Sequence, residues 1–285
     1  MITTASPFSI KRYIALELRR HRENAGLSQQ DVADAIGITR GNVSHLEVMR
    51  HLPKQPELMA MLNLYGKPEL LDTFVELANA ARRPDPWASI TSNIKGFELF
   101  VGYEQGASGM EMFDALCVPG LLQTRGYASA VLRASAEQLT DDQVTQFVEQ
   151  RMERQGVFDR ADPPSVWFVI TEGALRCNVG GRDVMAVQLA HLIEAARQPT
   201  VQLQIMPAVA GAHAATHGPF TIFEFPTPSA PRVAYTETAV MGHVYEKPEH
   251  ITRFTAVFNS LRVACLNPKR SLAFISQLRK EVLTE

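Results

Sequence analysis

The chain has 285 residues, of which 46% are hydrophobic and 20% are charged. This length and composition predict about two globular domains with sizeable cores and exclude wholesale disorder. The 28 basic and 30 acidic residues leave a net charge of −2, which excludes a generally polybasic protein but leaves local nucleic-acid binding open. No apolar run reaches the roughly 18–20 residues that span a bilayer, and the first residues lack a signal-peptide pattern, so we expect a cytoplasmic protein with no membrane partner.

Residues 1–83 show a helical pattern, in which apolar side chains recur at the spacing of one helix face. Five helices are predicted in this region. The first covers residues 14–24, and the fifth begins at Pro68, a residue suited to the first turn of a helix. The caps and stops that bound the helices between them are Ser28, Asp31, Gly37, Thr39 and Gly66. The pattern predicts an all-α N-terminal domain.

The helical pattern breaks at residues 82–86 (RRPDP), where two prolines interrupt it. We therefore predict a domain of residues 1–83, a linker of residues 84–96 and a second domain of residues 97–285. The second domain mixes helical and strand patterns, and the state of residues 98–118 is ambiguous.

Beyond this ambiguous segment, predicted helices cover residues 126–134, 140–156, 183–197, 251–261 and 271–283. Predicted strands cover residues 165–171, 201–205, 219–225 and 232–238. The first two strands and the helix between them have the order of a right-handed parallel crossover, and residues 201–205 alternate as a half-buried strand does. We expect an α+β domain with a mixed sheet and flanking helices.

Residues 26–47 (GLSQQDVADAIGITRGNVSHLE) carry the most specific signal in the chain. A small residue at Ala33 allows close helix packing, Gly37 relieves a turn, and apolar residues follow at fixed offsets. This order predicts a helix-turn-helix motif. The alternative is a helical bundle with no role on DNA.

The distinctive residues around this motif are LRR (18–20), RE (22–23), AGLSQ (25–29), IGI (36–38), VS (43–44) and Glu47. With them, residues 13–66 resemble the lambda-repressor-like DNA-binding domains of the xenobiotic-response-element class. Two positions depart from that class: His21 stands where Leu is usual, and Gly41 where a polar base-reading side chain is common. The resemblance implies that residues 39–45 open a recognition helix in the major groove.

Arg40 is the main candidate for base readout, because its guanidinium can bond both O6 and N7 of guanine. A phosphate contact or a purely solvated side chain are the alternatives. Gly41 either allows close approach of the backbone to DNA or is a tolerated substitution. Gln29 opens the helix before the turn, where backbone amides suit a phosphate. The other predicted contacts are Thr39, Asn42, Ser44, His45, Arg50 and Lys54, with solvated surface as the alternative for the two basic residues.

Three arginines, Arg19, Arg20 and Arg22, lie on the first helix, and we expect one of them to pair internally with Glu47. The excess of positive charge in residues 1–66 is small, so non-specific affinity is expected to be weak and salt-dependent. Tight binding to double-stranded DNA then requires two copies on adjacent half-sites, which predicts a homodimer.

The second domain contains several distinctive segments, among them VPGLLQT (118–124), QRMERQ (150–155), EGALR (172–176), GPF (218–220) and YTE (235–237). Together with others, they resemble the C-terminal domain of antitoxin-like actinobacterial transcription regulators over about residues 97–283. The resemblance implies a regulator, often encoded beside a small partner protein, and implies no enzyme.

No catalytic residue, metal or cofactor is predicted, and the ligand-binding residues are unknown. His213 and His217 have metal-ligand spacing but lie between glycine and proline, which favours loop histidines. No GxSxG nucleophile elbow is present. Cysteines 117, 177 and 265 are far apart, which predicts buried, reduced thiols. Four further charged residues could line a pocket for an anionic ligand, but ion pairs within the fold are the favoured interpretation. They are Arg151, Arg154, Glu172 and Arg176.

The sequence therefore predicts a sequence-specific DNA-binding transcriptional regulator with a C-terminal domain that senses a ligand or partner. The alternative is an antitoxin-like module that sequesters a small partner and binds DNA only for autoregulation. An enzyme with a DNA-binding domain is the third hypothesis.

Overall fold

The computed structural model describes residues 6–84, 94–135, 139–226 and 231–284. The chain divides into two compact units, Met1–Ser89 and Ile90–Glu285. Most of the predicted linker, residues 85–93, lies outside the described residues. Among the described helices, none combines the length and apolar character needed to cross a membrane.

The first unit is helical throughout its described part. Its helices are α1 (Pro7–Asn24), α2 (Gln29–Ile36), α3 (Arg40–Glu47), α4 (Gln55–Leu64) and α5 (Leu71–Ala81). The predicted capping box of α2 is confirmed: the Ser28 hydroxyl accepts from the Asp31 amide, and the Asp31 carboxylate accepts from the Ser28 amide. Gly37 ends α2 in the left-handed conformation, and the Thr39 hydroxyl caps α3 by accepting from the Asn42 amide at 3.1 Å.

One apolar cluster holds these helices together. Each helix contributes fully buried side chains to it, so the helical spacing seen in the sequence marks the inward faces. Its main members are Ile10, Ile14, Leu18, Val32, Ala33, Val43, Leu46, Leu58, Met61, Leu62, Phe74 and Leu77.

Two predicted helix starts in this unit are wrong. Helix α1 begins at Pro7, well before residue 14, because the Ser6 hydroxyl accepts from the Ser9 amide and Pro7 occupies the first turn. Ile10 then extends the buried face of α1 by one turn. Pro68 does not open an α-helix directly: residues Pro68–Leu70 form a short 3-10 turn, and α5 follows at Leu71.

The second unit is built on a mixed sheet. Its strands within the described residues are β1 (Gly109–Asp114), β2 (Ser165–Thr171), β3 (Val201–Met206), β4 (Phe220–Glu224), β5 (Val233–Glu237) and β6 (Gly242–Tyr245). They lie side by side in the order β3-β2-β1-β4-β5-β6. Strands β1, β2 and β3 are mutually parallel, and β4, β5 and β6 add antiparallel neighbours. The helices are α6 (Phe97–Gly106), α7 (Arg125–Ser135), α8 (Asp141–Gln155), α9 (Glu172–Arg176), α10 (Arg182–Ala195), α11 (Pro248–Ala264) and α12 (Pro268–Thr284).

The predicted parallel pairing of β2 with β3 is confirmed, with Phe168 beside Leu203. The expectation of a half-buried β3 is wrong, because Gln204 is only 5% exposed. Its side-chain amide accepts from the Trp167 indole at 2.9 Å and donates to the Leu266 carbonyl at 2.9 Å. The polar position of β3 is therefore satisfied inside the protein.

Helices cover both faces of the sheet. On one face, α11 packs Phe258 and Leu261 into a cluster with Phe113 of β1. On the other face, the α6 ring of Tyr103 lies 5.8 Å from the ring of Phe223. The ambiguous residues 98–118 thus contain a buried helix and a central strand. The predicted fold class, an all-α helix-turn-helix domain followed by a larger α+β domain with flanking helices, is confirmed.

Candidate nucleic-acid interface

The turn between α2 and α3 depends on one glycine. Gly37 has φ 73°, a conformation that side chains with a Cβ rarely adopt. The next amide, that of Ile38, donates back to the Ala33 carbonyl at 3.0 Å and closes the end of α2. Helix α3 therefore starts two residues later in a new direction, as in a helix-turn-helix motif.

A buried ion pair fixes the far end of α3. The Nε atom of Arg22 lies 2.6 Å from Oε1 of Glu47, and its Nη2 lies 3.0 Å from Oε2. Both residues are less than a tenth exposed, and the hydrogen bond with Glu47 raises the pKa of Arg22. Gln29 adds a third contact, because its Nε2 donates to Oε2 of Glu47 at 2.8 Å. The predicted pairing of a first-helix arginine with Glu47 is confirmed, and α1, α2 and α3 meet at this carboxylate.

Helix α3 presents its N-terminal turn to solvent. Arg40, Gly41 and Asn42 are exposed, and Ser44 and His45 are partly exposed. A Cβ placed on Gly41 meets a single atom within 4 Å, the Thr39 hydroxyl at 3.7 Å. The fold therefore does not require glycine at this position.

The segment after α3 is tied back to the helix. Met49 has φ 62°, an uncommon conformation for a residue other than glycine. The Arg50 amide donates to the His45 carbonyl at 2.9 Å. The Arg50 side chain donates from Nη1 to Nε2 of His45 at 3.1 Å, since arginine has no acceptor. The predicted contact residues His45 and Arg50 thus form one exposed pair at the end of α3.

Basic side chains that have no carboxylate partner among the described residues lie on α3 and in the segment that follows it. Arg19 and Arg20, on α1, pair with acidic residues of the same helix. By contrast, none of the ion pairs between described residues includes Arg40, Arg50 or Lys54. These exposed cations are therefore available for phosphate oxygens.

One predicted contact residue has a second role. Gln29 is only partly exposed, and its Nε2 atom is used by Glu47. The predicted contact of Gln29 with DNA therefore depends on its side-chain carbonyl oxygen and on the backbone amides at the start of α2. The other predicted residues, Thr39 to His45 with Arg50 and Lys54, follow one another along α3 and the segment behind it.

The other charged residues singled out in the sequence form ion pairs, with one exception. Arg176 binds Glu172 at 2.7 Å, and Arg154 binds Glu104 through two contacts of 2.8 Å. Arg151 enters no ion pair between the described residues and donates from Nη1 to Oε1 of Gln123 at 2.6 Å. Sequence reasoning did not identify Gln123 as its partner, because the two residues are far apart in the chain.

The loop prediction for the two histidines is confirmed, because residues 211–219 contain neither helix nor strand. The His213 ring lies 5.4 Å from Phe113, and its Nδ1 accepts from the Ala215 amide. Within the described residues, no group of three His, Cys, Asp or Glu side chains has the arrangement of a metal site. The expectation of three buried thiols is wrong: Cys177 is exposed, and Cys117 and Cys265 are partly exposed.

A second polar region lies where several strands end. Strands β1, β2, β3 and β5 run in one direction, so their carboxyl ends meet at one edge of the sheet. We call this the carboxyl edge, with its polar groups Asp114, Arg151 and Glu237. Burial, assisted by the charge of Glu237, raises the pKa of Asp114 to about 6. Burial also raises the pKa of Glu237 and lowers that of Arg151 to about 10.

The raised pKa of Asp114 predicts a pH-dependent contribution to stability. Because the folded-state pKa lies above the usual value of 3.8, protonation favours the folded state. The contribution is complete below about pH 4 and is lost as the pH rises through 6. Relative to Asp114→Asn, the wild type is expected to lose about 2 kcal/mol between pH 4 and pH 7. Urea unfolding of both proteins across this range measures the difference.

Asp162→Asn is the matched control for this measurement, because Asp162 is exposed. A difference between wild type and Asp114→Asn that stays constant with pH would contradict the buried environment of Asp114.

Comparison with known families gives two matches. A model described as a helix-turn-helix domain matches residues 14–74, which include α2, α3 and the turn between them. A model described as a domain of unknown function (DUF5753) matches residues 97–277. No curated protein and no solved structure matches the chain. The second match spans more than half of the chain. The chain therefore belongs to the family of the domain of unknown function DUF5753, and a helix-turn-helix domain precedes that domain.

Proposed function

We propose that this protein is a sequence-specific transcriptional regulator of the xenobiotic-response-element class, which acts in the cytoplasm and has no enzymatic step. The observation that carries the proposal is the exposed start of α3, beside cations that have no carboxylate partner among the described residues. A buried ion pair holds this helix from behind. A rigid helix with exposed polar ends suits major-groove recognition.

Within this proposal, Arg40 reads a base edge and Asn42, Ser44 and His45 support it. Arg50 and Lys54 bind phosphates and set the position of the helix. The excess of positive charge on this unit is small, so a single copy is expected to bind weakly. We therefore propose a homodimer on two half-sites about one helical turn apart.

Affinity selection of fragmented genomic DNA by the purified full-length protein tests this function. We expect a recurrent motif with two-fold symmetry that survives near-physiological salt. Enrichment without a motif, or enrichment that is lost when the salt is raised, would contradict a sequence-reading dimer.

Two substitutions separate base reading from phosphate binding. Arg40→Ala is expected to cost about 1–3 kcal/mol of discrimination at one base position, because a bidentate contact to guanine is lost. Lys54→Ala is expected to weaken all sequences alike and to lower the salt slope by about 1. Binding to the selected motif and to its single-base variants, measured at several salt concentrations, distinguishes them.

Lys67→Ala is the matched control, because Lys67 is exposed and pairs with Glu69. It should leave both affinity and salt slope unchanged. If Arg40→Ala weakened every sequence equally, its assignment to base readout would be wrong.

A second candidate function is that of an antitoxin-like protein that holds a small protein partner and binds DNA only for autoregulation. Exposed apolar side chains in loops at the carboxyl edge favour it, since Leu116 is 73% exposed and Val209 is 92% exposed. Co-expression with the products of neighbouring genes, followed by purification, tests it. A stoichiometric complex that blocks selection of DNA would support this function over the first.

A further inference from the structure

We infer that the carboxyl edge of the second unit binds a small anion, whose carboxylate or phosphate oxygens contact the guanidinium of Arg151. The anion would be the ligand of the sensing role that the sequence predicts for the second domain, and in that part the inference rests on the proposed regulatory function. The binding site itself is argued from the described residues alone.

Arg151 has no acidic partner among the described residues. Two arginines lie one turn apart on α8, and only one of them is neutralised in the described part of the chain. Arg154 binds both oxygens of Glu104, each at 2.8 Å. Arg151 donates to a neutral amide oxygen, that of Gln123, and its remaining N–H donors face no described carboxylate within ion-pair distance. Arg151 is only partly exposed, so an anion that binds its free N–H donors would form charge-assisted hydrogen bonds shielded from much of the solvent.

Several hydrogen bonds hold the segment beside Arg151 in place. Gln123 donates from Nε2 to the Val118 carbonyl at 2.6 Å. Gln155 donates to the carbonyls of Gly120 and Gln123 at 3.0 and 2.7 Å. The Val118 amide donates to the Tyr127 hydroxyl at 3.1 Å. These bonds hold the amide oxygen that orients the guanidinium, so the donor group is pre-organised.

The charges that act on Arg151 are those of Arg154 and Glu104, which neutralise each other, and that of Glu237. Glu237 accepts instead from the Tyr235 hydroxyl at 3.0 Å. Asp114, nearby, accepts from the amides of Leu116 and Cys117. Both carboxyl groups thus accept hydrogen bonds from other donors and form no ion pair with Arg151 among the described residues.

Arg151 is partly exposed, so a ligand can reach it. Through Gln123 it is tied to Val118, four residues after the end of β1. Strand β1 has one parallel and one antiparallel neighbour. Ligands of open sheets bind outside the carboxyl ends of parallel strands. The planar fork of arginine matches carboxylate and phosphate in the same bidentate way.

Thermal unfolding of the full-length protein, titrated separately with inorganic phosphate and with succinate, tests the site without DNA. We expect at least one probe to raise the unfolding temperature in a saturable way. A response to phosphate alone identifies a phosphate ligand, and a response to succinate alone identifies a carboxylate ligand. Arg151→Gln is expected to weaken the response at least tenfold. In probe-free buffer its unfolding temperature should remain close to that of the wild type.

Two further variants make the result decisive. Arg197→Gln, at an exposed arginine paired with Glu194, should respond like the wild type. Arg151→Lys keeps the charge but loses the planar fork, so it should fold and bind more weakly. The site is wrong if neither probe stabilises the wild type or if Arg151→Gln responds as the wild type does. Because the assay contains no DNA, its failure is distinct from failure of the genomic selection.

Discussion

Replacing Glu47 by Gln is expected to lower the free energy of unfolding of the N-terminal unit by about 3 kcal/mol, because the buried guanidinium of Arg22 loses its close carboxylate and keeps only the exposed Glu23, at 3.5 Å, as an ionic partner. The pair has two close contacts, and both partners are less than a tenth exposed. The substitution also weakens the contact from Gln29, which ties the start of α2 to the end of α3. Urea unfolding followed by circular dichroism measures the loss.

Two controls separate the buried charge from the loss of a side chain. The double variant Arg22→Met with Glu47→Leu removes both charges, so it should recover much of the stability lost in the single variant. Glu69→Gln disrupts an exposed pair with Lys67 and should cost less than about 1 kcal/mol. An equal loss in Glu47→Gln and Glu69→Gln would contradict the role assigned to the buried pair.

Glu104→Gln is the second substitution with a large expected effect. Glu104 is fully buried and is the described carboxylate partner of Arg154. The guanidinium of Arg154 also lies 5.1 and 5.3 Å from the ring centres of Phe97 and Phe100. Loss of the carboxylate leaves this charge inside an aromatic environment, and we expect the second unit to lose about 3–5 kcal/mol.

The matched control for Glu104 is Glu149→Gln, which removes an exposed partner of Arg125. It should change stability by less than about 1 kcal/mol. The two units have separate cores, so unfolding curves are expected to resolve into two transitions, and each substitution should shift only one of them. If Glu104→Gln shifted neither transition, the pair would not be needed for stability.

The candidate DNA surface could be predicted from sequence because its signals are local. Ser28 and Asp31 lie three positions apart, and Thr39 caps a helix that begins at the next residue. Gly37 supplies the turn between the helices. Each of these acts through neighbouring backbone groups, so the order of residues is enough to place α2, α3 and the exposed start of α3.

Some strands of the second unit could be predicted from local sequence and others could not, because some depend on pairing with distant strands. Residues 165–171 form a run of β-branched and aromatic side chains, and the strand β2 has these bounds. Strand β1 contains glycine, two methionines and two acidic residues, and its state is decided by pairing with β2 and β4 on both sides. The short strand β6 depends in the same way on its pairing with β5.

The sequence by itself therefore determined the helix-turn-helix motif, the surface it presents and the mixed character of the second domain, because caps, turns and apolar spacing act over a few residues. Only the tertiary structure decided which charges are neutralised. Glu47 meets Arg22, Glu104 meets Arg154, and Arg151 meets an amide, across 25, 50 and 28 positions of the chain. Such pairs depend on how helices and strands pack, which residue spacing does not specify.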